Sequence, residues 1–199
     1  MVEITAAMVK ELREKSGAGF TDCKKALVEK DGDIKKSMEY LREKGIADAS
    51  KKSSRATNQG LVYSYIHTTG RVGTLIELNC ETDFVARTDD FQLLAKEISL
   101  QIAGMKPSYL KREDVPVEVV EKEKEIYRAQ MKDAGKPAQV VDKIVEGKLD
   151  KFYKEFCLLE MAWFKDDKKN IETLIKESIA KIGENITLKR FVRFELGEN

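Results

Sequence analysis

Glu77-Leu78-Asn79-Cys80-Glu81-Thr82-Asp83-Phe84-Val85-Ala86-Arg87 is the stretch on which the reading of this chain turns. An apolar run over residues 74–78 precedes it and reads as a strand, and Asp89 opens a helical pattern after it. Thr82 and Asp83 are helix-start residues, because their side-chain oxygens accept from the free backbone N–H groups of a first turn. Phe84 is therefore expected on a short turn between a strand and a helix, one aromatic ring beside one carboxylate. Pattern alone sends Phe84 and Val85 back into the core, where apolar residues near element ends usually go.

On either side of this stretch the chain reads as mixed helix and sheet. Residues 60–80 form a hairpin: a Tyr-, Val- and Ile-rich run over 61–67, a loop with Gly70, and a second run over 72–79. From Asp89 to Gly104 the residues Phe91, Leu94, Ala95, Ile98 and Ile102, with Met105 beyond, keep helical spacing, and this helix should pack across the sheet in an α+β core. Residues 114–156 are the most charged section. Val117, Val120, Tyr127 and Met131 make one narrow stripe, Gly135-Lys136-Pro137 breaks it, and Val141, Ile144, Val145, Leu149, Phe152 and Phe156 make a second, as in a projecting helical hairpin. Residues 158–164 read as a short strand and Asp166-Asp167-Lys168-Lys169 as a solvated turn. Asn170 then caps a helix with Ile171, Leu174, Ile175, Ile179 and Ile182 inward. Gly183-Glu184-Asn185 reads either as a polar site or, equally well, as its stop and a turn, and a last strand over 186–196 places Leu188, Val192, Phe194 and Leu196 on one face and pairs with the hairpin.

Upstream, residues 1–45 read as three short helices. Thr5 caps the first, Ile4 and Val9 stand at hydrophobic-staple spacing, Val9 and Leu12 face inward, and Gly17 ends it. Thr21 or Asp22 caps the second, which buries Ala26 and Leu27 and stops at Gly32. Asp33 caps the third, with Ile34, Met38 and Leu41 inward and Gly45 at its end. A helix, a glycine loop carrying Phe20 and two more helices resemble a ubiquitin-associated-type domain, which is a binding module. Phe20 either plugs this small core or protrudes as an aromatic anchor. Residues 46–59, with Lys51, Lys52 and Arg55 among Ala and Ser, read as a polar helical linker, and residues 60–199 as the α+β core.

Composition narrows the function. Of 199 residues, 36% are charged, which suits long exposed helices, yet the net charge is only +1, so no strong field for nucleic acid or an anionic membrane is present. No apolar run reaches membrane-spanning length and no signal-peptide pattern is visible, so a cytoplasmic protein is expected. Cys23, Cys80 and Cys157 form no C-x-x-C pair and read as reduced, buried thiols. A lone His67 makes neither a metal site nor a nucleophile's base and reads as a structural or edge residue. No P-loop pattern occurs, and no carboxylate pair or Ser-His set stands out. No cofactor, metal or nucleotide affinity is expected, and these absences favour a protein that acts on another protein.

The eleven residues Glu77 to Arg87 resemble the signature of the elongation factor Ts family. Leu12-Arg13-Glu14-Lys15-Ser16-Gly17-Ala18-Gly19-Phe20, Asp22-Cys23-Lys24-Lys25-Ala26-Leu27, Ile182-Gly183-Glu184-Asn185-Ile186 and Arg193-Phe194-Glu195 are similar to it as well, so the likeness covers nearly the whole chain. Ser16 stands where the family usually has Thr, and keeps the hydroxyl. The resemblance implies a guanine-nucleotide exchange factor, without bond chemistry of its own, that releases GDP from elongation factor Tu. It implies that Leu12, Phe20 and Lys24 of the N-terminal module face the partner's nucleotide-binding domain. It also implies that Thr82, Asp83, Phe84 and Val85 form the second contact, with Asp83 and Phe84 pressing between two helices near the partner's magnesium and phosphates. Longer family members carry two related sheet halves where this chain has residues for one. A homodimer joined through the C-terminal sheet is therefore expected, with Phe191, Val192 and Phe194 at the exposed strand. The alternative function is a non-catalytic adaptor that docks another protein through the N-terminal module.

Overall fold

The protein is described by a computed structural model covering residues 2–131 and 137–198. Its fold is α+β, as the patterns predict: three N-terminal helices, a three-stranded sheet in the order β1-β2-β5, a two-stranded ribbon and further helices. The chain divides into two compact units. The first comprises the segment up to Val62, Glu77–Ala95 and Thr173–Lys189; the second comprises Tyr63–Ile76, Lys96–Glu172 and the segment from Arg190. Strands β1 (Gln59–Ile66), β2 (Val72–Cys80) and β5 (Ile186–Glu195) and helix α5 (Asp89–Met105) each have residues in both.

In the first unit, α1 (Ala6–Ser16) starts where Thr5 Oγ1 accepts from the Met8 N–H at 3.3 Å. It ends at Gly17, whose φ of 69° lets its N–H donate to the Arg13 carbonyl at 2.8 Å. Helix α2 (Phe20–Glu29) begins one residue earlier than Thr21 allows and is entered from Gly19 without a side-chain cap. Asp22 instead lies in the first turn, where the helix dipole favours an anion, and pairs with Lys44 at 2.8 Å. Helix α3 (Ile34–Lys52) is capped by Asp33, which accepts from the Lys36 N–H at 3.0 Å. Val9, Leu12, Cys23, Ala26, Leu27 and Leu41 form the core of these helices, with Ile4 packed on it as a staple residue should be. Met38, expected inward, is exposed; buried Ser37 takes that place and donates to the Ala26 carbonyl at 3.2 Å.

Helix α3 does not stop at Gly45. It runs seven residues further, to Lys52, so half of the expected linker is helix with Ala49 buried. The glycine serves a close approach: a Cβ there would lie 2.8 Å from the Cβ of Ala180 on α8 (Ile171–Ile182). Arg42 pairs with Glu177 at 2.5 Å and Lys52 Nζ donates to the Gly183 carbonyl at 2.8 Å, so α3 is tied to α8 along its length.

In the second unit, the β1–β2 turn closes with the His67 N–H on the Val72 carbonyl at 2.8 Å, and His67 Nδ1 sits 2.9 Å from the Tyr65 hydroxyl, a structural role for the lone histidine. Helices α6 (Val117–Ala129) and α7 (Ala138–Phe156) form the charged section; Gly135 and Lys136 of the expected breaker lie outside the described residues, and Pro137 precedes α7. Val115, Phe152 and Cys157 are buried here, with Val119, Val120, Leu149 and Phe156 packed on them. Val117, expected on the stripe, is exposed, and Val119 replaces it.

Residues 158–164 form not one strand but a 3₁₀ turn, Leu158–Glu160, and the two-residue strand β3 (Ala162–Trp163). Its antiparallel partner, β4 (Asp166–Asn170), occupies the expected solvated turn. Long-range bonds override local polarity: the Gln101 amide donates to the Ala162 carbonyl at 2.9 Å and accepts from the Phe164 N–H at 3.0 Å, while the Lys169 ammonium lies 5.3 Å from the Trp163 ring centre.

The last strand also departs from simple alternation. Ile186 and Leu188 are buried, but Lys189 and Arg190 are both exposed, so the pattern slips by one residue. Arg193 then turns inward, bonding Glu195, Glu198 and the Ala103 carbonyl, while Val192, Phe194 and Leu196 project outward. Leu188 is therefore buried where they are exposed.

Two glycines inside helices should respond oppositely to the same change. Gly45→Ala should destabilise the protein by roughly 1–2 kcal/mol, since overpacking outweighs the gain in helix propensity. Gly147→Ala, on α7 with open space around the added Cβ, should stabilise it by about 0.5–1 kcal/mol. Urea unfolding of both variants checks the pair.

Candidate functional site

The strand-to-helix turn is built by capping. β2 ends in buried Cys80, and Thr82, in an extended conformation, caps the four-residue helix α4 (Asp83–Ala86). Thr82 Oγ1 accepts from the Val85 N–H at 3.4 Å, as its position predicts. Asp83 pairs with Arg87 one helical turn on, at 2.7 Å. Thr88 Oγ donates to the Val85 carbonyl at 2.8 Å and accepts from the Phe91 N–H at 3.4 Å, coupling α4 to the start of α5. Ala86 alone of α4 is buried.

Phe84 is 78% exposed, so the core position that pattern alone assigns it is wrong. A four-residue helix can bury only one side, and Ala86 takes it. The ring stands in water at a cost that no neighbouring side chain repays. Val85 is half-buried, Asp83 is half-buried and Thr82 is exposed.

A second turn, on the other side of the sequence, holds this one. Glu184 Oε2 accepts from the Thr82 N–H at 3.0 Å and Glu184 Oε1 accepts from the Thr82 hydroxyl at 2.7 Å. In return Glu81 Oε1 accepts from the Asn185 N–H at 2.6 Å. The buried Asn185 amide donates to the Arg55 carbonyl at 2.8 Å and to the Ser53 carbonyl at 3.4 Å. The Asn185 N–H, with Arg55 at 3.4 Å, holds the Glu81 carboxyl below its ordinary range. Burial foremost, with Glu184 and Asp83 adding repulsion, pushes the Cys80 thiol up; its Sγ donates to the Thr82 carbonyl at 3.1 Å, an anchoring and not a nucleophilic role. Glu81, Glu184 and Asn185 escape a reading by sequence because Glu184 is 102 residues from Thr82 and local spacing cannot join them. Their only local signal is the polar Glu-Asn pair after a helix stop.

Among the N-terminal candidates, Phe20 is 55% exposed, so it protrudes and does not plug the core. Lys24 is exposed one turn along α2. Leu12 corrects the expectation: it is 0% exposed, in the core with Val9 and Leu27, and presents no atom for contact. Ser16 Oγ accepts from the Ala18 N–H at 3.2 Å, a bond that a threonine would make equally. Among the described residues no group of three or more His, Cys, Asp or Glu side chains is placed to hold a metal ion, and no helix is long and apolar enough to cross a membrane. All three cysteines are free and buried.

Fold and turn together define an α+β protein that presents one exposed aromatic from a braced strand-to-helix junction. The model of the family described as elongation factor TS matches residues 2–198. The chain is 59% identical over 197 residues to the elongation factor Ts of Coprothermobacter proteolyticus, covering 99% of this chain and all of that one. It is 57% identical over 197 residues to that of Fervidobacterium nodosum, with the same coverage. It is also 57% identical over 195 residues to that of Heliobacterium modesticaldum, covering 98% of this chain and 91% of the other. The chain belongs to the elongation factor Ts family.

Two truncations separate surface from core. Leu12→Ala should cost roughly 2–5 kcal/mol of stability. Phe84→Ala should change it by less than about 0.5 kcal/mol, because no buried contact is lost. Thermal unfolding followed by circular dichroism measures both.

Proposed function

We propose that this chain is a guanine-nucleotide exchange factor that binds elongation factor Tu with GDP and speeds the replacement of GDP by GTP. The observation that carries this reading is Phe84, 78% exposed on a turn tied to the Glu184–Asn185 turn through the Thr82 N–H and the Glu81 carboxylate. A preorganised ring inserts without first losing conformational entropy. Asp83 and Phe84 press into the partner near its magnesium and phosphates, with Thr82 shaping the turn and Val85 at its edge. Residues 1–45 serve as the gripping module, through Phe20 and Lys24; Leu12, in the core of these helices, holds the module together instead of touching the partner. This chain makes and breaks no bond, and it works in the cytoplasm, where translation takes place. It stabilises the partner state whose nucleotide site is distorted. By linkage, the factor by which it weakens GDP is the factor by which GDP weakens it.

The roles of grip and wedge differ in kinetics. Binding equal in both partner states sets occupancy, and only differential binding shifts the equilibrium. Phe84→Ala should therefore lower the GDP release rate at saturating exchanger, by roughly 5- to 150-fold for about 1–3 kcal/mol of lost coupling. Phe20→Ala should raise the half-saturating concentration and leave the plateau near wild type. Asp83→Ala should resemble Phe84→Ala but be milder. Release of a fluorescent GDP from elongation factor Tu, measured against exchanger concentration, tests all three; a wild-type plateau for folded Phe84→Ala overturns the wedge.

The chain acts as a homodimer in this reading. Ile66, Leu75, Val192, Phe194 and Leu196 of the second unit are exposed, Phe194 to 70%. So many apolar side chains on one sheet favour covering by a self-complementary copy. Light scattering at tens of micromolar protein should give a dimer mass, and Phe194→Asp a monomer with unchanged circular dichroism. A monomeric wild type excludes this assembly.

A further inference from the structure

We propose that Glu184 is a positioning residue for exchange: its carboxylate holds the Thr82 turn in the conformation that aims Phe84 outward. This rests on the exchange reading above. Helix α4 has four residues and buries only Ala86, so neither helix cooperativity nor packing can fix the direction of the Phe84 ring. The cap must do it. Thr82 has two donors, its amide and its hydroxyl, and Glu184 accepts both, at 3.0 and 2.7 Å. By accepting the hydrogen bond of the Thr82 hydroxyl, Glu184 leaves the Thr82 oxygen lone pairs free to accept from the Val85 N–H, the bond that closes α4.

The reverse bond, from the Asn185 N–H to Glu81 at 2.6 Å, fixes Glu184 in its turn. Asn185 is fixed by its own side chain, which bonds the Arg55 and Ser53 carbonyls. Glu184 thus passes the rigidity of a buried anchor, through Thr82, to an exposed ring. Its chemistry is specific. Alanine removes both acceptors. Glutamine can still accept the Thr82 N–H through its carbonyl and donate to the hydroxyl oxygen, so it should retain most of the brace.

Two measurements on the full chain test this. In the free protein, Glu184→Ala should speed amide hydrogen exchange at Thr82 and Val85 by roughly 10-fold or more, and Glu184→Gln by much less. In GDP release from elongation factor Tu, Glu184→Ala should lower the plateau by about 10-fold with the half-saturating concentration near wild type, and Glu184→Gln should restore most of it. Added to Phe84→Ala, Glu184→Ala should have little further effect, because both act through the same ring. Thr82 and Val85 amides as protected in Glu184→Ala as in wild type would overturn the proposal. So would a wild-type plateau in Glu184→Ala, or a full additional loss on the Phe84→Ala background. A wild-type plateau for Phe84→Ala alone is a different result: it overturns the wedge role of Phe84, and with it the role of Glu184, while exchange itself stands; the exchange reading falls only if the wild-type chain does not speed GDP release. If Glu184→Ala lowers the melting temperature, Glu184→Asp, one methylene too short to reach both donors, makes the same comparison.

Discussion

The first unit depends on one buried amide. Asn185 has lost its water, and an unpaired amide in that position would cost more than any single bond returns. It is satisfied by the carbonyls of Ser53 and Arg55, just past α3, while its N–H is taken by Glu81, just past β2. Its own position just past α8 means that three segment ends meet at one residue. Burial makes the meeting obligatory: any displacement that breaks these bonds leaves polar groups without partners. The close approach of α3 and α8 at Gly45, opposite Ala180, belongs to the same arrangement.

From that point rigidity reaches the surface. Glu184 is next to Asn185 and binds Thr82, and Thr82 caps the helix that carries Phe84. The exposed ring contributes nothing to folding, so stability and presentation are separable. The core beneath Phe20 is organised alike: Leu12, Cys23 and Leu27 fill it, and the aromatic at the start of α2 is left outside. In both places the exposed aromatic is carried by a packed or hydrogen-bonded support and not by burial of its own ring.

Much of this was legible in local pattern. Thr5, Asp33 and Thr82 cap helices where their spacing places them, because a cap needs only a side-chain oxygen and the next few backbone amides. Phe91, Leu94, Ala95, Ile98 and Ile102 are buried as their period requires, while Met105 at the end of α5 is exposed. The misreadings share a cause. Gly45 looks like a helix stop until α8 is beside it. Asp166 to Lys169 look solvated until Trp163 and Gln101 are in place. Leu12 is buried, as its spacing with Val9 places it, and not at the contact that the family resemblance implied.

The sequence by itself determined the starts of α1, α3 and α4, the hairpin, the mixed α+β class and the family, since each rests on short-range chemistry or on an extended run of matching residues. Tertiary structure decided which apolar residues are spare. Local pattern places both Phe84 and Leu12 in the core, yet only Leu12 is there. Burial is set by what packs against a residue from elsewhere in the chain. Tertiary structure also decided how the site is held, because the bond from Thr82 to Glu184 joins residues 102 positions apart and exists only once both turns are folded.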